Sequence, residues 1–169
     1  SREFSKADAL ELIDALDLDN DALDKNLPVE FSSTGLEFLL IPLVNENDLQ
    51  NVKPDYDKIK SILTKYDCLA IYLFCETSID NYKVRMFMLE LDFLDEDSAT
   101  GSAAGSFTVY LHKNAGDQSD KNITIHQGMW MERPSTIYTS VAKNESGELV
   151  PRVGGNAIRI GQGILDIAL

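Results

Sequence analysis

Ala103-Ala104-Gly105-Ser106-Phe107-Thr108-Val109-Tyr110-Leu111 is small or apolar on nearly every side, and a helix with no polar face has to be enclosed by the rest of its chain. The sequence around it is strand-like. Upstream, residues 69–75 form a compact apolar run that reads as a buried strand, and residues 82–91 a second strand that pairs with it across the polar turn at 78–81. Downstream, residues 123–126, 136–141, 149–153, 157–160 and 164–168 read as strands, with turns at Asn144-Glu145-Ser146-Gly147 and Gly161-Gln162-Gly163. Many strands around one central buried helix, without the regular intervening helices of a parallel βαβ sheet, define an α+β class with mixed or antiparallel strands.

The amino-terminal third fits the same plan. Ser5 is suited to cap a helix over residues 5–17, with Asp8 three residues later and Leu10, Ile13 and Leu16 at helical spacing. After the polar stretch 19–26, residues 29–31 and 36–44 read as strands flanking Ser32-Ser33-Thr34-Gly35. Asp55 caps a second helix in which Ile59, Ile62, Leu63 and Tyr66 share a face. No repeat, low-complexity tract or linker divides the chain, so residues 1–169 read as a single domain.

Composition narrows the function classes. A chain of 169 residues with 44% hydrophobic content can bury a core, and its longest apolar runs, 38–44 and 69–75, are strand-sized rather than the roughly 20 residues of a membrane span. The start, Ser1-Arg2-Glu3-Phe4, lacks a secretory signal's apolar core, and two cysteines make no disulfide framework, which points to the cytoplasm. That start, entering a helix-like pattern almost at once, reads as processed or truncated, with removal of an initiator methionine as the alternative. Cys68 and Cys75 are expected as core thiols on opposite faces of a strand. The net charge of −13 and the absence of a basic stripe argue against nucleic acid as a partner.

The chemistry-bearing stretch is Asp97-Ser98-Ala99-Thr100-Gly101-Ser102, where a strand hands over to the buried helix. A helix start leaves amide hydrogens unpaired at the positive end of the dipole, so backbone donors near Gly101 and Ser102 suit a carboxylate ligand. Thr100 and Ser102 add hydroxyls, and Asp97 adds a carboxylate for orienting or shuttling a proton. The same residues also suit plain helix capping, with Asp97 complementing the dipole, and the two roles are compatible. The acidic residues Asp92, Asp95, Glu96 and Asp97 lack the spacing of a calcium loop, and no Gly-Lys-Ser/Thr follows the glycines as a phosphate loop requires. Serine hydrolysis at Ser102 lacks both a nucleophile elbow and a histidine partner, since His112 follows the helix and His126 lies in an alternating strand.

Asp97-Ser98-Ala99-Thr100-Gly101-Ser102-Ala103 resembles the Asp-Pro-Ala-Thr-Gly-Ser-Ala signature of the PhzF, or phenazine biosynthesis-like, family, which shares the diaminopimelate epimerase fold. Ser33-Thr34-Gly35 with the following strand, Val84-Arg85-Met86-Phe87, Gln127-Gly128, Arg133-Pro134-Ser135 and Val153-Gly154-Gly155 follow in the family's order. Two positions depart: Ser98 stands for the signature proline, relaxing the backbone before it, and Glu132 precedes Arg133 where glycine is usual.

The resemblance implies the carboxyl-terminal half of a two-domain protein, with the amino-terminal half not present in this chain. It further implies an isomerase moving a proton on a small carboxylate without metal or organic cofactor. Asp97 and Ser102 would be catalytic, and Thr100, Gly101, Ser102 and Ala103 would bind substrate. The acid/base glutamate and a Gly-His-Ala-Thr-like loop belong to the complementary amino-terminal half, supplied by the same or a separate chain; no segment here corresponds to either. A hydroxyl at Ser102, near where a two-thiol epimerase of this fold has its second cysteine, argues against a two-cysteine racemase. Family precedent is a homodimer. The alternative from another class is a non-catalytic ligand-binding domain that keeps the pocket without the chemistry.

Overall fold

Three helix starts are each fixed by one side chain. In the computed structural model, which describes residues 4–90, 92–114 and 120–163, Ser5 Oγ accepts the Asp8 N–H at 3.0 Å and opens α1 (Lys6–Ala15). Asn45 Oδ1 accepts the Asp48 N–H at 2.9 Å and opens α2 (Glu46–Asn51). Asp55 Oδ1 accepts the Lys58 N–H at 3.1 Å and opens α3 (Tyr56–Thr64). The sequence reading located α1 and α3 but not α2, whose six residues bury only Leu49 and so show no periodicity. In α1 the buried positions are Leu12, Ile13 and Ala15, while Leu10 is half exposed.

Eight strands form one mixed sheet: β1 (Glu30–Ser33), β2 (Glu37–Pro42), β3 (Ala70–Ser78), β4 (Asn81–Leu89), β5 (Leu94–Asp97), β6 (Lys121–Gln127), β7 (Ser135–Lys143) and β8 (Leu149–Gly155). Their order is β1-β2-β3-β4-β6-β7-β8, with β5 also paired to β4. The pairs β2/β3 and β4/β6 are parallel and the rest antiparallel. Parallel neighbours need a crossover, and here both crossovers carry helices: α2 and α3 in the first, and α4 (Gly101–Asn114) in the second. The sequence reading had a helix at both points, α3 in the first and α4 in the second, and missed only α2.

β2 and β3 read as continuous apolar runs because both of their faces are buried. Leu39, Ile41, Ile71, Leu73 and Cys75 face one core with α1, α2 and α3. Phe38, Leu40, Ala70, Tyr72 and Phe74 face the other, built on Ala103, Ala104, Phe107 and Tyr110 of α4. Helix α4 is buried from Ala103 to His112, as its composition demands. It meets β1 and β2 from one end of the strand order and β6, β7 and β8 from the other, so the sheet is curled.

Two expectations change and one is not tested. Residues 157–160 form no strand, and Ile158 and Ile160 are 87% and 98% exposed; their alternation meets no core face among the described residues. The strand expected at 164–168 lies outside the described residues. Cys68 precedes β3 rather than lying in it, so the two-residue alternation does not carry back to it; both thiols are buried in the same core, unbridged. No helix among the described residues is long and apolar enough to cross a membrane.

Candidate functional site

One edge of β4 changes partner halfway along, and the site lies at the change. Met86 to Leu89 pair with antiparallel β5, and Asn81 to Val84 with parallel β6. The carboxyl ends of β5 and β6 therefore converge on Arg85: Asp97 stands opposite Met86, and Gln127 opposite Val84. The sequence reading gave residues 92–97 no strand of their own. With only four residues, β5 carries too short a pattern to announce itself.

Arg85 locks this junction. Its Nε and Nη2 donate to the two carboxylate oxygens of Glu96 at 2.8 Å each, and Nη1 donates to the Val52 carbonyl at 2.9 Å, at the end of α2. Arg85 is 9% exposed, so this is a buried forked pair rather than a surface one, and it fixes the strand residue next to Asp97.

The loop from Asp97 to Thr100 is held from three sides. Thr100 Oγ1 donates to Asp97 Oδ2 at 2.6 Å, and the Ala99 N–H makes a longer bond of 3.4 Å to Oδ1. Fully buried Gln127 accepts the Thr100 N–H on Oε1 at 3.1 Å; its Nε2 donates to the Asp97 carbonyl at 2.7 Å and to Thr100 Oγ1 at 2.9 Å. Ser135 Oγ donates to the Ser98 carbonyl at 2.6 Å. Gly128 completes the support at φ +73°, where an added Cβ would lie 2.3 Å from the Arg133 carbonyl oxygen and 3.0 Å from Ser98.

Helix α4 starts directly from this loop. Its first internal bond runs from the Ala104 N–H to the Thr100 carbonyl at 3.0 Å, so the amides of Gly101, Ser102 and Ala103 precede the helical ladder. The Thr100 hydroxyl, which a plain cap would turn toward those amides, is committed to Asp97. On the far side, fully buried Ser106 accepts the Thr34 N–H at 3.1 Å and Ser32 Oγ donates to the Ser106 carbonyl at 2.9 Å, which docks the β1–β2 turn on the helix.

A cleft of about 330 Å³ opens beside the loop. Asp97, Ser98, Thr100 and Ser102 line it together; Gly101 and Ala103 do not, and the Ala103 side chain is fully buried in the core. The opposite wall is apolar, with Leu36, Phe38, Met86, Met88 and Met131. Arg133 is the basic residue on the lining and forms no ion pair among the described residues, although Glu90, Asp95 and Glu96 line the same cleft. The Asp97 carboxylate, the hydroxyls of Ser98, Thr100 and Ser102, a helix start and an arginine beside an apolar wall suit a small carboxylate-bearing molecule. Sequence reasoning placed Met86, Gln127, Arg133 and Ser135 only as members of an ordered motif and passed over Met88 and Met131. The motif order was the available signal for the first group; Met88 and Met131 carried none.

Both histidines are structural in position. His112 is buried in the last turn of α4, and His126 Nδ1 lies 3.5 Å from Thr136 Oγ1 across the β6/β7 pair.

A family model described as phenazine biosynthesis-like protein matches residues 1–163. Antisense-enhancing sequence 1 of Schizosaccharomyces pombe is 28% identical over 123 residues, covering 73% of this chain and 41% of the relative. Trans-2,3-dihydro-3-hydroxyanthranilate isomerase of Pseudomonas chlororaphis is 27% identical over 157 residues, covering 92% of this chain and 52% of the relative. Among solved structures, the Bacillus anthracis phenazine biosynthesis protein of the PhzF family superposes with a TM-score of 0.76 at 23% identity, over 86% of this chain and 50% of that one. The chain thus spans about half the length of the relatives it matches.

Proposed function

This chain belongs to the phenazine biosynthesis-like protein family, and from that premise we propose that it contributes the carboxyl-terminal half of an isomerase site. The observation that carries the reading is the convergence of Asp97, Thr100 and Ser102 on one cleft, with the Asp97 carboxylate held by the Thr100 hydroxyl at 2.6 Å. The reaction is relocation of a proton on a small carboxylate substrate, with no metal or organic cofactor. A glutamate of the complementary amino-terminal half, on the same or a separate polypeptide, removes the proton from carbon. Asp97 assists its delivery, and the electron pair left on carbon shifts along the conjugated system, so no redox change is involved. The Ser102 hydroxyl and the unpaired amides at the start of α4 anchor the substrate carboxylate, while the Thr100 hydroxyl, committed to Asp97, holds that group in place. The diaminopimelate epimerase-like fold, a homodimeric assembly and a cytoplasmic location belong to the same reading.

The test is deuterium incorporation from solvent into trans-2,3-dihydro-3-hydroxyanthranilate by this chain joined to an amino-terminal half. Asp97→Asn and Ser102→Ala are each expected to cut the exchange rate by at least ~100-fold, the scale of a lost general acid/base group. Unchanged turnover in both variants sinks the assignment. Binding of the probe by the wild-type assembly without exchange favours the non-catalytic ligand-binding domain instead.

A further inference from the structure

We infer that Gln127 is a positioning residue that directs the Thr100 hydroxyl onto Asp97 and so assigns different tasks to the two oxygens of that carboxylate. The inference rests on the reading of Asp97 as a proton-handling group; the hydrogen-bond logic beneath it does not. The orientation of the Gln127 carboxamide is forced. The Thr100 N–H can only donate, so Oε1 must face it at 3.1 Å. The Asp97 carbonyl can only accept, so Nε2 must face it at 2.7 Å. The second Nε2 hydrogen then goes to Thr100 Oγ1 at 2.9 Å.

With Oγ1 already accepting from Gln127, the hydroxyl's own hydrogen is committed to Asp97 Oδ2 at 2.6 Å. Oδ2 becomes the anchored oxygen. Oδ1, held among the described residues only by the 3.4 Å bond from the Ala99 amide, is the one left to exchange a proton with substrate. Gln127 suits this task because it is fully buried and stands at the carboxyl end of β6, in register with Val84, while Asp97 stands in register with Met86 on the same β4 edge. Gln127 is not on the lining of the cleft, so its influence runs through Thr100 and the Asp97 main chain.

The test begins with this chain alone. Three-bond couplings to the Thr100 γ-methyl carbon report its χ1 angle, and the Hβ couplings of Asp97 report that of the carboxylate. In wild type both residues are expected in single staggered rotamers. In Gln127→Met, which keeps the side-chain length and removes every hydrogen bond, both sets are expected to average over rotamers while the α4 amide signals stay in place. A purely structural glutamine would lower stability and leave the couplings at their wild-type values, and that result overturns the inference.

Should Gln127→Met fail to fold, Thr100→Val decides: Asp97 is expected to average while the Gln127 side-chain amide hydrogens remain slow to exchange, and a locked Asp97 overturns the inference. In the two-half assembly, Gln127→Met should lower kcat about tenfold or more with KM within about threefold, the pattern of a group acting on the chemical step through a neighbour. An inactive wild-type assembly would refute the proposed isomerase and leave the coupling measurement to judge Gln127.

Discussion

Two left-handed residues on either side of the 3-10 turn Met129–Met131 show how much of the site depends on backbone conformation. Gly128 has φ +73° and Glu132 φ +56°, yet the surroundings differ. At Gly128 a Cβ would collide with the Arg133 carbonyl oxygen at 2.3 Å and press on Ser98, the residue Ser135 holds. Gly128→Ala should therefore destabilise by about 2–4 kcal/mol, from left-handed strain plus overpacking. Glu132 stands where the family resemblance expects glycine, and its positive φ gives the physical reason for that expectation. Glu132 is exposed and makes no hydrogen bond or ion pair by its side chain among the described residues, so Glu132→Gly relieves strain and the thermal midpoint should hold or rise. Thermal melts of both variants check the pair; a loss in Gly128→Ala no larger than the gain in Glu132→Gly would show that left-handed strain alone, and not the close contacts, sets the cost at Gly128.

At the scale of elements, the Asp8 carboxylate is the most heavily bonded of the links between α1 and α3, beside the exposed Asp14–Lys58 pair. Asp8 takes hydrogen bonds from Lys65 Nζ at 2.7 Å, Tyr66 Oη at 2.6 Å and Ser5 Oγ at 2.5 Å. The Lys65 bond, followed by those from Ser5 and Tyr66, holds the Asp8 carboxyl well below the usual carboxylate range. A group whose folded pKa is depressed contributes stability above its unfolded pKa of about 3.9 and loses it as pH falls toward the folded value. Urea midpoints should therefore decline below about pH 4 in wild type, and this part of the decline should vanish in Asp8→Asn. At neutral pH the substitution should cost about 1–2 kcal/mol, kept modest because the Lys65 side chain is half exposed. An unchanged low-pH slope in Asp8→Asn would remove Asp8 from the account. The Ser5 cap of α1 was legible in sequence because capping is local chemistry. The three-way clasp was not, since Tyr66 and Lys65 are brought to Asp8 only by the packing of α1 on α3. The same limit hid β5, whose identity as a strand comes from β4 beside it and not from its own four residues.

For the whole molecule, apolar α4 announced its own burial, and the ordered motifs located the loop from Asp97 to Thr100. The change of partner along β4, which brings Asp97 to Gln127, was invisible because it is a property of register between strands some 30 residues apart. That same sheet joins two cores, since β2, β3 and β4 contribute side chains to both. Neither core can lose these strands without opening the other, so unfolding should be a single cooperative event. The two thiols report one side of the sheet: Cys68 and Cys75 lie in the core with α1 to α3, and burial, with Glu46 adding to it, pushes the Cys75 thiol up to about 11. Amide exchange in α4 at Phe107, Tyr110 and Leu111 reports the other. Alkylation of both cysteines and exchange of these amides should lose protection at the same urea concentration, with one denaturant slope. A thiol transition at lower urea, with α4 still protected, would show the α1–α3 layer opening by itself, and would separate the two cores that the shared strands are argued to unite.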